Sequence, residues 1–202
     1  MCVSGGGSYD DGGFGIKIGE WIDLDEDFRR NPIVIHQGQY KNGKKFGKWD
    51  MKWNWTMQQI SFMDYLPYAH GGGSYQEDGI KIGQWIDFAE GFSFEQQLIF
   101  KGEYKNGRKF GNWDIQYRIC LSYPDLQNPF SKIGGGSYDE EGKGYKIGQW
   151  VDLDDSFNNS KQIIYSGQYD NGKKVGIWVK MLRESKSMDD KFIKVKEISY
   201  DN

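Results

Sequence analysis

The sequence predicts an all-β protein, an elongated and solenoid-like antiparallel sheet of six stacked β-hairpins in three long repeats. One observation is compositional: the 202 residues include 28 glycines but only 4 prolines, and 16% of the residues are aromatic. A second is the series of short segments rich in strand-forming residues, each bounded by turn signals. The third is a motif, G-x-Y followed by a turn and then K-[IFV]-G-x-W, which recurs along the chain. Such self-similarity is the sequence signature of a repeat architecture.

Each long repeat opens with the same glycine-rich block. The block "GGGSYDDGG" begins at Gly5, "GGGSYQEDG" at Gly71 and "GGGSYDEEG" at Gly134. In each repeat a hairpin with a longer turn comes first, and a hairpin with a two-residue turn follows. We expect one repeat domain over residues 1–202. Its predicted long repeats cover residues 5–70, 71–133 and 134–197.

The two-residue turns predict the register of the second hairpin in each repeat. In "GQYKNGKKFGKW", residues 38–49, the pair Asn42-Gly43 favours a type I′ turn, because both central positions of that turn need φ > 0. Counting outward from the turn places Lys41 opposite Lys44 and Tyr40 opposite Lys45. The same count predicts these further facing pairs: Gly38 with Gly47, His36 with Trp49, Gly102 with Gly111, Phe100 with Trp113, Gly167 with Gly176, and Tyr165 with Trp178.

The facing glycines would leave a gap about one side chain wide in each hairpin, and glycine in a strand often marks a close approach. We expect a ring from the neighbouring hairpin to fill that gap, because a lone two-stranded hairpin is marginally stable in water. Stacked hairpins would then share a continuous aromatic core. The predicted core residues are Tyr9, Trp21, Tyr40, Trp49, Tyr75, Trp85, Tyr104, Trp113, Tyr138, Trp150, Tyr169 and Trp178.

These motifs resemble those of the MORN-repeat family, in particular variant members whose hairpins read Y-x-N-G-K-x-x-G-x-W. Long tandem arrays similar to the "GGGSYD" and "KNGKK" blocks occur in ciliated protists, and the resemblance covers nearly the whole chain. The resemblance implies tandem hairpin repeats. It also implies association with cortical and ciliary structures, through contacts with membranes or partner proteins.

The segments outside the hairpins are predicted to be less regular. Residues 54–70 and 122–133 are proline-containing joints between long repeats and should form irregular connectors. The segments 56–70 and 182–192 each have room for one helical turn. Residues 191–202 end in "ISYDN", which aligns with the "GSYDE" that opens a repeat, so we expect a terminal cap strand with a charged outer face there.

The sequence carries no sign of a membrane-spanning, secreted or enzymatic protein. No run approaches 18 consecutive apolar residues, "MCVS" is too short for a targeting signal, and Cys2 and Cys120 do not make a disulfide framework. A cytoplasmic protein is therefore expected. The histidines, His36 and His70, belong to no recognisable catalytic set. The glycine-rich runs lack the G-K-[ST] and the helix of a phosphate-binding loop. We expect no catalytic residue, no cofactor and no small-molecule substrate.

Metal and nucleic-acid binding are also disfavoured. The stretch "DLDEDF" at 23–28 resembles the start of a calcium loop, as does "DLDDSF" at 152–157. However, an EF-hand loop needs Gly at its sixth position and Glu at its twelfth, where Phe28 and Val34 stand. We expect solvated acidic loops that hold no metal. A net charge of −3 and a pI near 5.5 are the opposite of the basic footprint of a nucleic-acid binder.

Charge concentrates at the predicted hairpin tips. If the hairpins stack in order, basic and acidic tips alternate along one edge; if each hairpin flips, one edge is basic and the other acidic. The sequence leaves both arrangements open. The basic tip residues are Lys41, Lys44 and Lys45, then Lys105, Arg108 and Lys109, then Lys173 and Lys174. The acidic tip residues are Asp10, Asp11, Glu77, Asp78, Glu140 and Glu141. The side chains predicted to contact a partner are Lys41, Lys44, Lys105, Arg108 and Lys173.

These observations predict a non-enzymatic repeat scaffold or protein-interaction module. Its expected partners are other proteins, with a cytoskeletal protein or a second copy of this chain among the candidates. The alternative is a peripheral binder of anionic lipid headgroups that uses the basic tips. The family resemblance implies a place at the cytoskeleton, the cell cortex or the cilium.

Overall fold

Thirteen β-strands account for most of the described part of the protein. The computed structural model describes residues 5–24, 33–54, 70–93, 96–120, 128–184 and 191–200. No helix occurs in these ranges, so the predicted all-β class is confirmed. The chain divides into two compact units, Met1–Asp87 and Phe88–Asn202, and the division falls inside the second long repeat. A single domain over 1–202 stays a prediction.

The first unit contains three hairpins, and each strand pairs antiparallel with its neighbours in chain order. The last residue of the sixth strand lies beyond the division between the units. The strands are β1 (Gly6–Tyr9), β2 (Lys17–Leu24), β3 (Ile33–Lys41), β4 (Lys44–Asn54), β5 (His70–Tyr75) and β6 (Lys81–Phe88).

The second unit contains three further hairpins and one additional strand, again paired antiparallel in chain order. The six predicted hairpins are therefore present. The strands are β7 (Gln97–Lys105), β8 (Arg108–Arg118), β9 (Ser131–Tyr138), β10 (Lys146–Leu153), β11 (Gln162–Asp170), β12 (Lys173–Arg183) and β13 (Ile193–Tyr200).

The two-residue turns have the predicted conformation. Asn42 and Gly43 have φ of 51° and 77°, as a type I′ turn requires, and Asn106 and Asn171 also have positive φ. The register next to the turn is as expected, because Tyr40 pairs with Lys45.

Further from the turn the predicted register is wrong. After Gln39 pairs with Phe46, the next pair is Gln37 with Asp50, so four residues of β4 span two of β3. This is a wide β-bulge, which alternation along a strand cannot reveal. It removes the facing pair of Gly38 and Gly47. The partners actually observed are His36 with Met51, Phe100 with Ile115, and Tyr165 with Lys180.

The two glycines of a hairpin therefore do different work. Gly47 lies in the bulge with φ of 66°, a left-handed conformation that L side chains rarely adopt, and no atom would contact a Cβ placed there. Gly38 has a tryptophan ring directly above it. That ring belongs to Trp49 of the same hairpin, so the expectation that a neighbouring hairpin supplies it is wrong. Neighbouring hairpins join instead by backbone pairing, as when Trp49 pairs with Gly73 of β5.

The strand β13 has the position of a repeat's first strand. Tyr200 pairs with Gly176, as Tyr75 pairs with Gly47 and Tyr138 with Gly111. The predicted alignment of "ISYDN" with the opening of a repeat is therefore confirmed within β13, whose residues 193–197 are exposed.

The predictions for the joints fall partly outside the described residues. Residues 55–69, 121–127 and 185–190 are not described, so the possible helical turns and most of both connectors lie outside. One part can be checked. Residues 131–133 are not an irregular connector, because β9 begins at Ser131 and extends the ladder with the long strand β8.

The second unit has an apolar core at the strand ends remote from the two-residue turns. Tyr117 of β8 is fully buried there and packs edge-on against Phe157, with ring centroids 5.0 Å apart. The buried members of this core are Leu98, Ile115, Tyr117, Ile119, Phe157 and Ile164.

Candidate interaction surface

Tyrosine and tryptophan rings alternate across one face of each unit. Successive rings meet edge-on, the preferred geometry of aromatic pairs; the centroid of Trp21 lies 5.0 Å from that of Tyr9 and 5.7 Å from that of Tyr40. The series in the first unit is Tyr9, Trp21, Tyr40, Trp49, Tyr75 and Trp85. The series in the second unit is Tyr104, Trp113, Tyr138, Trp150, Tyr169, Trp178 and Tyr200.

The bulges and the indole N–H groups complement each other. Trp49 Nε1 donates to the carbonyl oxygen of Gln39 at 3.1 Å, and Trp150 Nε1 donates to that of Ser137 at 2.9 Å. In both hairpins the acceptor is the residue after the covered glycine, where the bulge interrupts the backbone ladder. The indole thus satisfies a carbonyl group at the point where the partner strand is displaced.

A lysine ammonium covers the outer side of each of these indoles. Lys45 Nζ lies 4.0 Å from the Trp49 centroid, and Lys146 Nζ lies 4.3 Å from the Trp150 centroid, within the range of a cation–π contact. The four other covered pairs are Lys17 with Trp21, Lys81 with Trp85, Lys109 with Trp113, and Lys174 with Trp178.

One aspartate then ties together groups from three strands. Asp23 on β2 accepts hydrogen bonds from Lys17 Nζ at 2.8 Å and from the Tyr40 hydroxyl at 2.7 Å, and Lys45 Nζ lies 3.3 Å away. The second unit repeats the arrangement. There Asp152 holds Lys146, Lys174 and the hydroxyl of Tyr169.

Partial burial shifts the ionisation of this cluster. Burial raises the pKa of Asp23, but the hydrogen bonds from Lys17 and Tyr40 and the charges of the two lysines outweigh it, so the net pKa lies below its usual value. Burial and the bond to Asp23 raise the pKa of Tyr40 well above its ordinary range. Burial lowers the pKa of Lys45, although Asp23 opposes that effect.

The aspartate clusters were not anticipated from the sequence, yet a signal was present. The motif can be extended to K-x-G-x-W-x-D, with Asp23, Asp87 and Asp152 each two residues after a tryptophan. The predicted reading of "DLDDSF" as a solvated loop is also wrong in part, because the carboxylate of Asp152 is only 13% exposed and binds two lysines.

The covered indoles cannot act as stacking platforms. The six repeat tryptophans are at most 6% exposed, with glycine backbone beneath each ring and a lysine above it. Base stacking requires an accessible ring face. The described residues also contain no group of three or more His, Cys, Asp or Glu side chains that could hold a metal ion.

The hairpin turns of each unit lie together at one edge, which we call the tip edge. It is formed by turns 10–16, 42–43 and 76–80 in the first unit and by turns 106–107, 139–145 and 171–172 in the second. Adjacent turns touch. Gly43 N donates to the Lys17 carbonyl at 3.0 Å, and Lys41 Nζ lies 2.8 Å from a Glu77 carboxylate oxygen. Within each unit, basic and acidic tips therefore alternate along one edge.

The five candidate contact residues all lie on a tip edge, and their environments differ. Lys41 forms the ion pair with Glu77, and Arg108 Nη1 donates to the Lys143 carbonyl at 3.2 Å. Lys44, Lys105 and Lys173 have exposed side chains. Three lysines predicted to be tip residues are instead half-buried lids over tryptophans. They are Lys45, Lys109 and Lys174.

Large apolar side chains are exposed at the longer turns. Phe14 is 83% exposed, Tyr145 is 47% exposed, and Ile16 and Ile80 are exposed to a lesser degree. Ile16 lies beside Gly43 of the next turn, and Tyr145 occupies the equivalent place beside Gly172. Each tip edge thus combines both signs of charge with accessible apolar surface.

Comparison with known proteins adds no relative. No protein-family model matches the chain, and no curated protein sequence matches it either. The described segments include no helix with the length and apolarity needed to cross a bilayer. The MORN resemblance therefore stays a prediction that depends on the repeated motifs alone.

Proposed function

We propose that the protein is a non-enzymatic scaffold that binds a partner protein along its tip edges, within a cytoskeletal, cortical or ciliary assembly. One observation carries this proposal: exposed apolar side chains lie beside alternating charges on the same edge. Phe14 and Ile16 flank a turn whose neighbour carries Lys41 and Lys44. Exposed apolar groups rimmed by polar ones mark interaction sites. The MORN-like motifs support the cytoskeletal or ciliary setting.

The tip edge suits a protein better than a lipid surface. An anionic membrane favours clustered lysines without carboxylates between them. Here the acidic turns 10–16 and 76–80 lie on either side of the basic turn 42–43, and Glu77 neutralises Lys41. We therefore expect the full chain to show little co-sedimentation with liposomes that contain anionic lipid. Strong salt-sensitive co-sedimentation would instead favour the lipid alternative.

Affinity capture from the source cell tests the protein partner. The tip variant reverses charge at Lys44, Lys105 and Lys173, all of which are exposed. A matched control reverses charge at three other exposed lysines outside the turns. The control positions are Lys48, Lys101 and Lys191.

We expect wild type and the control variant to retain the same partner, and the tip variant to lose it. Capture should also weaken as salt rises, because exposed charges are screened. A partner held equally by the tip variant at low salt would contradict the tip-edge proposal. The face around His36, Phe100 and Tyr165 would then become the candidate surface.

A further inference from the structure

The second unit contains a groove that the hairpin motif alone would not produce. It has a volume of about 610 Å³ and lies between the segment before β7 and the loop that joins β10 to β11. Ligand pockets commonly have volumes of this order. The groove is separate from the tip edge, because the segments that border it follow β6 and β10 at the opposite ends of those strands.

Both segments that border the groove are anchored by backbone hydrogen bonds and by a buried phenylalanine. In the β10–β11 loop, Asp154 N donates to the Ile163 carbonyl at 3.0 Å and Phe157 N donates to the Asp154 carbonyl at 2.9 Å. Phe157 is 2% exposed and belongs to the apolar core. Before β7, Phe92 is buried in the same way and its N–H donates to the Ala89 carbonyl at 3.0 Å. The described walls are thus built into the fold.

The floor of the groove is apolar. Leu98 and Ile115 form its deepest part and are themselves members of the core, while Phe100 and Leu153 are half-buried along it. An apolar side chain placed here would extend the core and remove its own surface from water.

The rim of the groove has an excess of negative charge. Lys146 and Lys174 both lie on the groove, and both pair with Asp152, at 2.6 and 3.4 Å. Glu90 and Asp155 also line the groove and are exposed.

A further carboxylate on the rim is held in its charged form. Asp154 accepts hydrogen bonds from Ser156 and from the Tyr165 hydroxyl, and Lys161 lies 3.5 Å away outside the groove. The bonds from Ser156, against the effect of burial, help to hold the pKa of Asp154 well below its usual range. Three carboxylates thus remain to attract a cationic ligand.

We infer that this groove binds an extended segment of a partner protein in which an apolar side chain is flanked by lysine or arginine. The apolar side chain would enter between Phe100 and Leu153, and the flanking cations would meet Glu90 and Asp155 on the rim. This inference rests on the proposed function, since it assigns the interaction module a second, chemically defined site.

Selection from a displayed library of random short peptides on the immobilised full chain tests the inference. The groove variant carries Glu90→Lys and Asp155→Lys, both at exposed positions. The control variant makes the same charge change at Glu140 and Asp170, which are exposed on the tip edge of the same unit. Synthetic fluorescent copies of the selected peptides are then titrated with all three proteins.

The expected peptides contain an aromatic or aliphatic residue beside lysine or arginine. They should bind the groove variant about tenfold more weakly than wild type, while the control variant binds them as wild type does. Peptides that bind the groove variant unchanged would overturn the inference, as would a selection that enriches no peptide. Peptides weakened only by the control variant would overturn it too, while supporting the proposed role of the tip edge. Capture of a cellular partner by the tip edge remains a separate readout.

Discussion

The indole of Trp49 lies directly over Gly38, so close that a Cβ atom on that glycine would be 2.5 Å from the ring. The same relationship joins Trp113 to Gly102, where the distance would be 2.3 Å. A glycine normally weakens a strand because it has no side chain to pack. Here the absence of a side chain lets the tryptophan ring rest on the backbone, which explains why the motif keeps one glycine before each tyrosine.

Substitution of the two glycines in one hairpin should have different consequences. Gly102→Ala places a methyl group inside the space of the Trp113 ring, so we expect a loss of about 1–3 kcal/mol in unfolding free energy. The ring must also move, so tryptophan fluorescence and near-ultraviolet circular dichroism should change.

Gly111→Ala provides the control for this prediction. No atom lies within contact distance of a Cβ at Gly111, but its φ of 58° strains any L side chain by about 1–2 kcal/mol. We expect destabilisation without a change in the tryptophan spectra. Gly111→Val should destabilise for the same conformational reason. Native-like spectra in Gly102→Ala with no loss of stability would refute the close-packing account.

Asp23→Asn should destabilise the first unit at neutral pH. The change keeps the shape of the side chain but removes the charge that binds Lys17 at 2.8 Å and Lys45 at 3.3 Å. Hydrogen bonds to charged groups are worth more than neutral ones, so we expect a loss of about 1–3 kcal/mol. The control is Asp50→Asn. Asp50 pairs with Lys48 at the surface, where such a pair contributes at most about 1 kcal/mol.

The effect of Asp23→Asn should depend on pH. The folded pKa of Asp23 is below the value of 3.8 for the unperturbed group, so its contribution is complete above that pH and is lost as pH falls through the folded pKa. The stabilities of wild type and Asp23→Asn, measured by chemical unfolding, should therefore converge in acid. A difference that stays constant across this range would show that shape, not charge, makes Asp23 important.

Tyr138→Phe should become more favourable in alkaline solution. Burial raises the pKa of Tyr138 to about 12, from 10.0 for an unperturbed tyrosine. Between these values only the unfolded chain ionises at this position, so wild type loses stability as pH rises. Phenylalanine cannot ionise, and the other tyrosines are common to both proteins. The stability of Tyr138→Phe relative to wild type should rise between pH 10.0 and about 12, as chemical unfolding would reveal. A relative stability that does not change with pH would mean that Tyr138 ionises as readily in the folded protein as in the unfolded chain.

Local chemistry made some of the fold predictable. The Asn42-Gly43 turn follows from two adjacent residues, and the Tyr and Trp positions follow from repetition along the chain. The bulge was missed because counting by twos assumes that both strands advance together. Nothing in the alternation of β3 and β4 shows that two of its residues span four.

The clusters and the groove were missed because they depend on strand order. Asp23 on β2 reaches Lys45 on β4 only when β3 lies between them, and "DLDEDF" read alone resembles an exposed acidic loop. The groove depends on which way Phe92 and Phe157 turn. Both are buried, which the surrounding polar sequence did not indicate.

The last ring of the series in the second unit provides a test of how the ladder ends. Tyr200 on β13 lies edge-on to Trp178, with centroids 6.2 Å apart, and Trp178 is fully buried. Tyr200→Ala should expose one side of that indole, since Tyr169 covers only the other, at 5.1 Å. The aromatic contact and the lost burial together predict destabilisation of about 1–3 kcal/mol.

Quenching of tryptophan fluorescence by acrylamide measures this exposure directly. Tyr200→Ala should increase quenching, whereas Ile193→Ala, at a position 66% exposed in the same strand, should leave quenching and stability close to wild type. If both variants behave alike, β13 contributes only through its backbone pairing with β12. A selective effect of Tyr200→Ala would show that the ladder depends on a ring at this position, because Trp178 needs a partner on each side to stay out of water.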